Sequence, residues 1–355
     1  MKNVKYSLKL FTIFGIPIEL HVSFLILMLF IYAVAALNLF PGINLLLAVL
    51  ITLVFVTVVI HELSHSYVAQ RYGVKIERIV LLPIGGVSAM EEIPKDPGQE
   101  FRIAVAGPAT NFVIAGACYI LVFLGASHLS GTLQDAIYYF ALVNLILGGF
   151  NMLPAFPMDG GRVLRAYLAG RMSYVRATRL AANIGKQLAI IMAIVGVFYN
   201  IFLILIAVFI YIGAEQEYRT IMVSTLLEGI RVGDIMTRDV RIVGPETPIS
   251  EVLNLMFHKK HMGYPVVEDG NLVGILTFHD VSEVGPDRRS EAVRFFMTKN
   301  ILSTYPEEPV ADALERLNRK QIGRLPVLSE GVLVGIISKT DILRAVEVMN
   351  LKIGE

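Results

Sequence analysis

The chain has 355 residues, 55% of them hydrophobic and only 17% charged, a balance too apolar for an ordinary soluble protein. A formal net charge of +1 with no basic block argues against a nucleic-acid partner. The one cysteine, Cys118, excludes an intrachain disulfide.

The apolarity is uneven. Long uncharged runs fill the chain up to about Tyr211, whereas from Arg231 onward the charge density is that of a soluble domain. The fold class expected is mainly α: a polytopic membrane helical bundle with a small embedded β-sheet, followed by a soluble α/β part.

The first stretch, 8–20 (LKLFTIFGIPIEL), and a later one, 75–90 (KIERIVLLPIGGVSAM), are β-branched, roughly alternating and punctuated by Gly and Pro. They read as short strands. Non-helical backbone at membrane depth needs protein or water against it, so a small sheet lining a cavity is expected.

A spanning helix needs roughly 20 apolar residues. Such runs occupy 20–38, 44–67, 102–126, 134–153, 181–198 and 199–214, the last two divided at Tyr199-Asn200. About six spans follow. They sort the basic residues: Lys2, Lys5, Lys9, then Arg71, Lys75, Arg78, Lys95, Arg102, then Arg162, Arg165, Arg171, Arg176 and Arg179 fall on one side. By the positive-inside rule both termini and the soluble part are cytoplasmic, in a multi-pass protein of the cell membrane.

The second run ends in His61-Glu62-Leu63-Ser64-His65. On a helix the histidines, four apart, share one face and can bind one Zn²⁺. Glu62 beside them can take a proton from a bound water, whose pKa zinc lowers to about 7. Charges at the bilayer centre cost roughly 2 to 3 kcal/mol each; the bland alternative is that these groups lie at headgroup depth, where polarity is cheap.

Catalytic zinc needs a third protein ligand and an open position. Asn151-Met152-Leu153-Pro154-Ala155-Phe156-Pro157-Met158-Asp159-Gly160-Gly161-Arg162 ends the fourth run in a rigid turn and brings Asp159 to the side that holds His65. Otherwise Asp159 caps a helix starting near Arg162. Pro108 and Asn111 read as helix-start and packing residues, and His21, His128, His258, His261 and His279 lack ligand spacing and read as structural.

HELSH in an apolar helix, NMLPAFPMDGGR two spans later and GPATN (107–111) between them together resemble the site-2 protease family of intramembrane zinc proteases, over roughly residues 8–215. The resemblance implies one zinc per chain on His61, His65 and Asp159, with Glu62 as general base. Asn151 corresponds to the family's oxyanion-stabilising asparagine, or simply braces the turn. Gly85 and Gly86 correspond to the family's membrane strand, whose edge pairs with an unwound substrate segment, or else form a plain β-turn. The activity implied is regulated intramembrane proteolysis: hydrolysis of peptide bonds within or near the spans of membrane-anchored proteins.

From Arg231 the chain repeats at an offset of 61: Met236-Thr237 with Met297-Thr298, Pro265-Val266 with Pro326-Val327, Gly274 with Gly335, Asp280 with Asp341. Two copies of one supersecondary unit follow. Each reads helix (249–259; 310–320), strand (264–267; 325–328), turn, strand (272–277; 332–338), helix. This resembles a tandem pair of cystathionine-β-synthase (CBS) domains, implying AMP or ATP contacts from Thr277, Asp280, Ser338 and Asp341, or a scaffold for homodimerisation. The expected domains are 1–218 (membrane protease), 219–230 (linker), 231–290 and 291–355 (CBS). A CBS-gated transporter or channel is the alternative; transport pathways place ionisable groups in several spans, whereas here they gather at His61, Glu62, His65 and Asp159.

Overall fold

A computed structural model of the protein describes residues 7–353, apart from 84, 91–93, 126–129 and 260. His128, Lys2 and Lys5 therefore lie outside the described residues. By internal contacts the chain divides into Met1–Ile221 and Met222–Glu355.

In the first unit the Gly- and Pro-punctuated stretches do fold as strands. β1 (Ser7–Ile13) turns into β2 (Ile16–His21) through Phe14 and Gly15, both at positive φ, which glycine tolerates at no steric cost. β3 (Ile76–Leu82) and β4 (Gly85–Met90) form the second hairpin. The sheet order is β1-β2-β3-β4, with β2 and β3 parallel. A parallel join needs a long crossover, and α1 (Val22–Ala36) and α2 (Leu45–Gln70) supply it. β4 is left as an edge strand.

Among the described residues, five helices are long and apolar enough to span: α2, α3 (Pro97–Gly125), α4 (Gly131–Asn151), α6 (Tyr174–Tyr199) and α7 (Ile201–Leu226). The first of the expected spans, α1, has only 15 residues, roughly 22 Å of rise: β2 takes Leu20 and His21, and the helix stops at Ala36. Asn44 starts α2 by accepting from Leu47 N at 2.9 Å, an ordinary N-cap. Outward faces carry bare apolar side chains, Phe123 82% and Phe198 79% exposed. In water such surface would aggregate; among acyl chains it is matched to its solvent.

Two elements differ from the sequence reading. α3 begins at Pro97 and not near 107, so Pro108 and Asn111 lie inside a helix and do not start one. α5 (Asp159–Ala169) begins at Asp159 with Met158 in the cap position, so Asp159 is the first helical residue and no cap for a helix at Arg162. The Pro97 start was hidden because 94–101 is polar and the apolar run alone set the boundary.

In the second unit α8 (Val232–Ile235) leads into two matching halves: α9 (Ile249–Lys259), β5 (Gly263–Glu268), β6 (Asn271–Thr277), α10 (Phe278–Ser282), then α11 (Val310–Arg319), β7 (Arg324–Ser329), β8 (Val332–Ser338), α12 (Lys339–Ile353). Each hairpin turns on two residues at positive φ, Asp269-Gly270 and Glu330-Gly331, as two-residue hairpins prefer. The duplication is visible in the pairing itself. Both hairpins carry a bulge at one place, Val266/Val267 and Val327/Leu328, and the bridges Ile275↔Thr298 and Thr237↔Ile336 are reciprocal. The sheet runs β5-β6-β8-β7, and each half has its own core, around Val266 and Leu276 and around Val327 and Ile337.

Candidate functional site

α2 carries His61 and His65 one turn apart, and both are buried, each 6% exposed. Their Nε2 atoms stand 3.1 Å from each other, and Asp159 Oδ2, from the start of α5, lies 3.2 Å from each. Ninety-four residues separate His65 from Asp159, yet the three atoms form a nearly equilateral triangle.

What lies behind the two rings decides what the triangle is. His61 Nδ1 donates to Asn111 Oδ1 at 2.5 Å, and that amide is oriented by Asn111 Nδ2 donating to Asn144 Oδ1 at 3.2 Å. Asn144 Nδ2 donates in turn to Phe140 O at 2.9 Å. His65 Nδ1 donates to Ile103 O at 2.6 Å. Each Nδ1–H is thus committed to its acceptor, so a neutral imidazole at either position turns a lone pair on Nε2 towards the centre. Two lone pairs and a carboxylate oxygen facing one another are three acceptors without a donor, and a shared cation resolves the repulsion. The spacing fits: an equilateral triangle with these edges has its centre roughly 1.8 Å from each corner, close to the 2.0–2.2 Å usual for zinc's nitrogen and oxygen ligands.

The neighbouring helix leaves room for it. A Cβ on Gly107 of α3 would stand 2.2 Å from His65 Nε2 and 2.5 Å from His61 Nε2, inside the space an ion must fill. His61, His65 and Asp159 are therefore a donor set that could hold a metal.

Glu62 sits under β4. A Cβ on Gly86 would meet Glu62 Cγ at 2.7 Å and Val58 Cγ1 at 3.2 Å, so the strand crosses the glutamate in direct contact with it, and only glycine permits that approach. Ser66 Oγ, one residue beyond His65, shares a hydrogen bond with Ser88 Oγ of β4 at 3.0 Å, and Ser64 Oγ does the same with Thr110 Oγ1 of α3 at 2.8 Å. These side chains fix β4 and α3 against the helix that carries His61 and His65. Gly85 and Gly86 thus begin a strand and do not form the hairpin turn. Asn151 is the last residue of α4, half-buried, at the mouth of the turn that ends in Asp159.

In the second unit the two strand-end motifs are repeated caps. Asp280 Oδ2 accepts from Thr277 N and Oγ1, both at 2.7 Å, and Asp341 Oδ2 from Ser338 N at 2.9 Å and Oγ at 2.6 Å. One carboxylate oxygen of each pair is thereby used locally.

The sequence reading missed Gly107, Asn111 and Asn144 as parts of the site. A usable cue existed for two of them, because 107 and 111 are spaced i, i+4 like the histidines and share a helix face. Of the remaining histidines, His21 Nδ1 accepts from Ser23 N at 3.2 Å at the start of α1 and His279 pairs with Glu283 at 3.6 Å, both local roles.

Comparison with known proteins follows the same division. The profile of peptidase family M50 matches residues 49–136 and 124–194, and that of the CBS domain matches 232–287 and 292–348. A zinc metalloprotease of Methanocaldococcus jannaschii is 44% identical over 350 residues, covering 98% of each chain. Rip3 of Mycobacterium tuberculosis is 32% identical over 311 residues, 82% of this chain and 78% of its own. The solved site-2 protease from Methanocaldococcus jannaschii is 47% identical, covering 60% of this chain and 95% of that one, with a TM-score of 0.44.

Proposed function

The chain belongs to peptidase family M50, the site-2 proteases, as a zinc metalloprotease with a tandem CBS pair, and from that premise we propose that it hydrolyses peptide bonds within or near the spans of membrane-anchored proteins. One zinc is held by His61, His65 and Asp159. The observation that carries this is the convergence of three acceptor atoms at 3.1–3.2 Å beside a glycine whose Cβ would fill the space between them.

Zinc, when bound, supplies a Lewis acid that acidifies water and polarises a carbonyl. The chain's own residues do the rest. Glu62 takes a proton from the attacking water and returns it to the leaving amide nitrogen. Asn151 donates to the oxygen that gains charge, a contact worth a few kcal/mol in related sites. Asn111 and Ile103 O hold the two imidazoles in the tautomer that leaves Nε2 free.

A helical substrate has its carbonyls hydrogen-bonded and must be opened first. β4 is an edge strand in contact with Glu62, so an unwound substrate segment pairing with that edge is delivered to the general base. The lysine and arginine distribution supports cytoplasmic termini and a cytoplasmic CBS pair. Thr277 with Asp280 and Ser338 with Asp341 form two repeated sites for the ribose and phosphate of AMP or ATP, one carboxylate oxygen in each being free of the cap. Occupancy of that pair modulates cleavage. Equal rates with and without AMP or ATP, at concentrations that saturate the pair, would overturn this regulatory part.

The catalytic part is tested with purified full-length protein and a reconstituted single-span substrate. Glu62→Ala is expected to keep its zinc and lose cleavage; unchanged cleavage would overturn the assigned roles.

A further inference from the structure

Arg165 has no part in the chemistry above, yet it is 2% exposed and among the largest fully buried side chains. It lies on α5, six residues after Asp159. Its Nε donates to Glu100 Oε1 at 2.7 Å and its Nη1 to Glu217 Oε1 at 2.7 Å, while its Nη2 lies 2.5 Å from Glu100 Oε1. The guanidinium carbon stands 5.0 Å from the ring centroids of both Phe156 and Tyr174. Glu100 lies in the first turn of α3 and is 0% exposed, Glu217 belongs to α7, Tyr174 opens α6 and Phe156 lies three residues before Asp159. One side chain therefore ties α5 to three helices and to the turn that delivers the aspartate.

That turn has no slack. A Cβ on Gly160 would stand 2.3 Å from Leu153 O and from Met152 O, one on Gly161 2.6 Å from Phe156 N, and one on Gly213 of α7 2.6 Å from Pro157 Cδ. Any rotation of α5 is thus transmitted to residues 152–159 as a whole.

We propose that Arg165 is a positioning residue: held between Glu100 and Glu217, it sets the depth and direction of the Asp159 carboxylate relative to His61 and His65. The proposal rests on the reading that those three residues bind zinc. A guanidinium suits the task because its planar fork reaches two carboxylates in fixed directions, which an ammonium on a flexible stem does not. Simple bracing would be served as well by apolar packing, since buried charges are costly to desolvate. What the charged node adds is direction.

The test uses full-length protein in detergent micelles, with Arg165→Lys and Glu217→Gln, each alone and combined with Asp159→Asn. Zinc affinity by chelator competition, Tm of the zinc-free protein, and kcat with KM are measured. Arg165→Lys is expected to weaken zinc roughly tenfold and to lower kcat with KM unchanged. In the Asp159→Asn background it should change zinc affinity hardly at all, because the carboxylate it positions is gone. Glu217→Gln, at a site 27% exposed, should act in the same direction more weakly and gives a variant that folds should Arg165→Lys not. Normal zinc affinity with lowered Tm, or an undiminished effect in the Asp159→Asn background, would reduce Arg165 to general bracing and overturn the proposal. Failure of the zinc reading has a different signature: Asp159→Asn alone would then bind zinc as wild type does, and the proposal would fall with its premise.

Discussion

Gly107→Ala adds one methyl group, remote in sequence from HELSH, and should remove the metal. The new Cβ would lie 2.2 Å from His65 Nε2 and 2.5 Å from His61 Nε2, against a comfortable separation of about 3.5 Å. Relief therefore needs about 1 Å of movement. The rings cannot swing aside, because their Nδ1 atoms are tethered at 2.5 and 2.6 Å to Asn111 and Ile103 O. Helices α2 and α3 would have to separate, or the tethers break, and loss of such outer contacts costs 10–100-fold in metal affinity. With both rings displaced, the loss should reach about 100-fold, or about 2.8 kcal/mol. Chelator competition and zinc content after gel filtration measure it. Gly116→Ala is the control: it lies on the same helix and its Cβ would meet nothing within 4 Å, so zinc should bind as in wild type. Wild-type zinc affinity in Gly107→Ala would refute the account of the cradle.

Asn111→Ala leaves His61 Nδ1–H buried without its acceptor and frees the ring to change tautomer; zinc affinity or kcat should fall 10–100-fold, read by the same competition assay and by cleavage kinetics. Gly86→Ala drives a methyl into Glu62 Cγ, so zinc should stay bound while kcat drops at least tenfold, and wild-type kcat would show that the strand and the glutamate tolerate more movement than their contact implies. Asp280→Ala combined with Asp341→Ala removes both caps, costing about 1 kcal/mol each, and should abolish any rise in Tm on adding AMP or ATP; a rise equal to wild type would place nucleotide recognition elsewhere.

Periodicity and composition made the long helices legible, since an 18-residue apolar run permits few other folds at membrane depth. The hairpins of the second unit were equally plain, because Asp269-Gly270 and Glu330-Gly331 announce tight turns and the offset of 61 doubles every observation. Boundaries were harder where polar residues extend a spanning helix: the start of α3 at Pro97 lies in a charged stretch that hydropathy reads as loop, and α1 lost its first residues to β2 pairing with β3. His61 and His65 stood out by their i, i+4 spacing, and Asp159 by its place in the Pro- and Gly-rich turn after the fourth apolar run. Gly107, Asn111 and Asn144 did not, because their roles depend on which face α3 turns towards α2, a packing fact that one sequence does not state. Arg165 was read only as a cytoplasmic charge. Its burial becomes apparent once Glu100, 65 residues away, is brought beside it.

The most direct test of the central claim is X-ray absorption at the zinc edge on the purified full-length protein, wild type against His61→Ala and His65→Ala. The wild-type spectrum should contain two imidazoles and oxygen ligands, and each substitution should remove one imidazole or the zinc altogether. A protein that takes up no zinc, or a spectrum unchanged by both substitutions, would contradict the account.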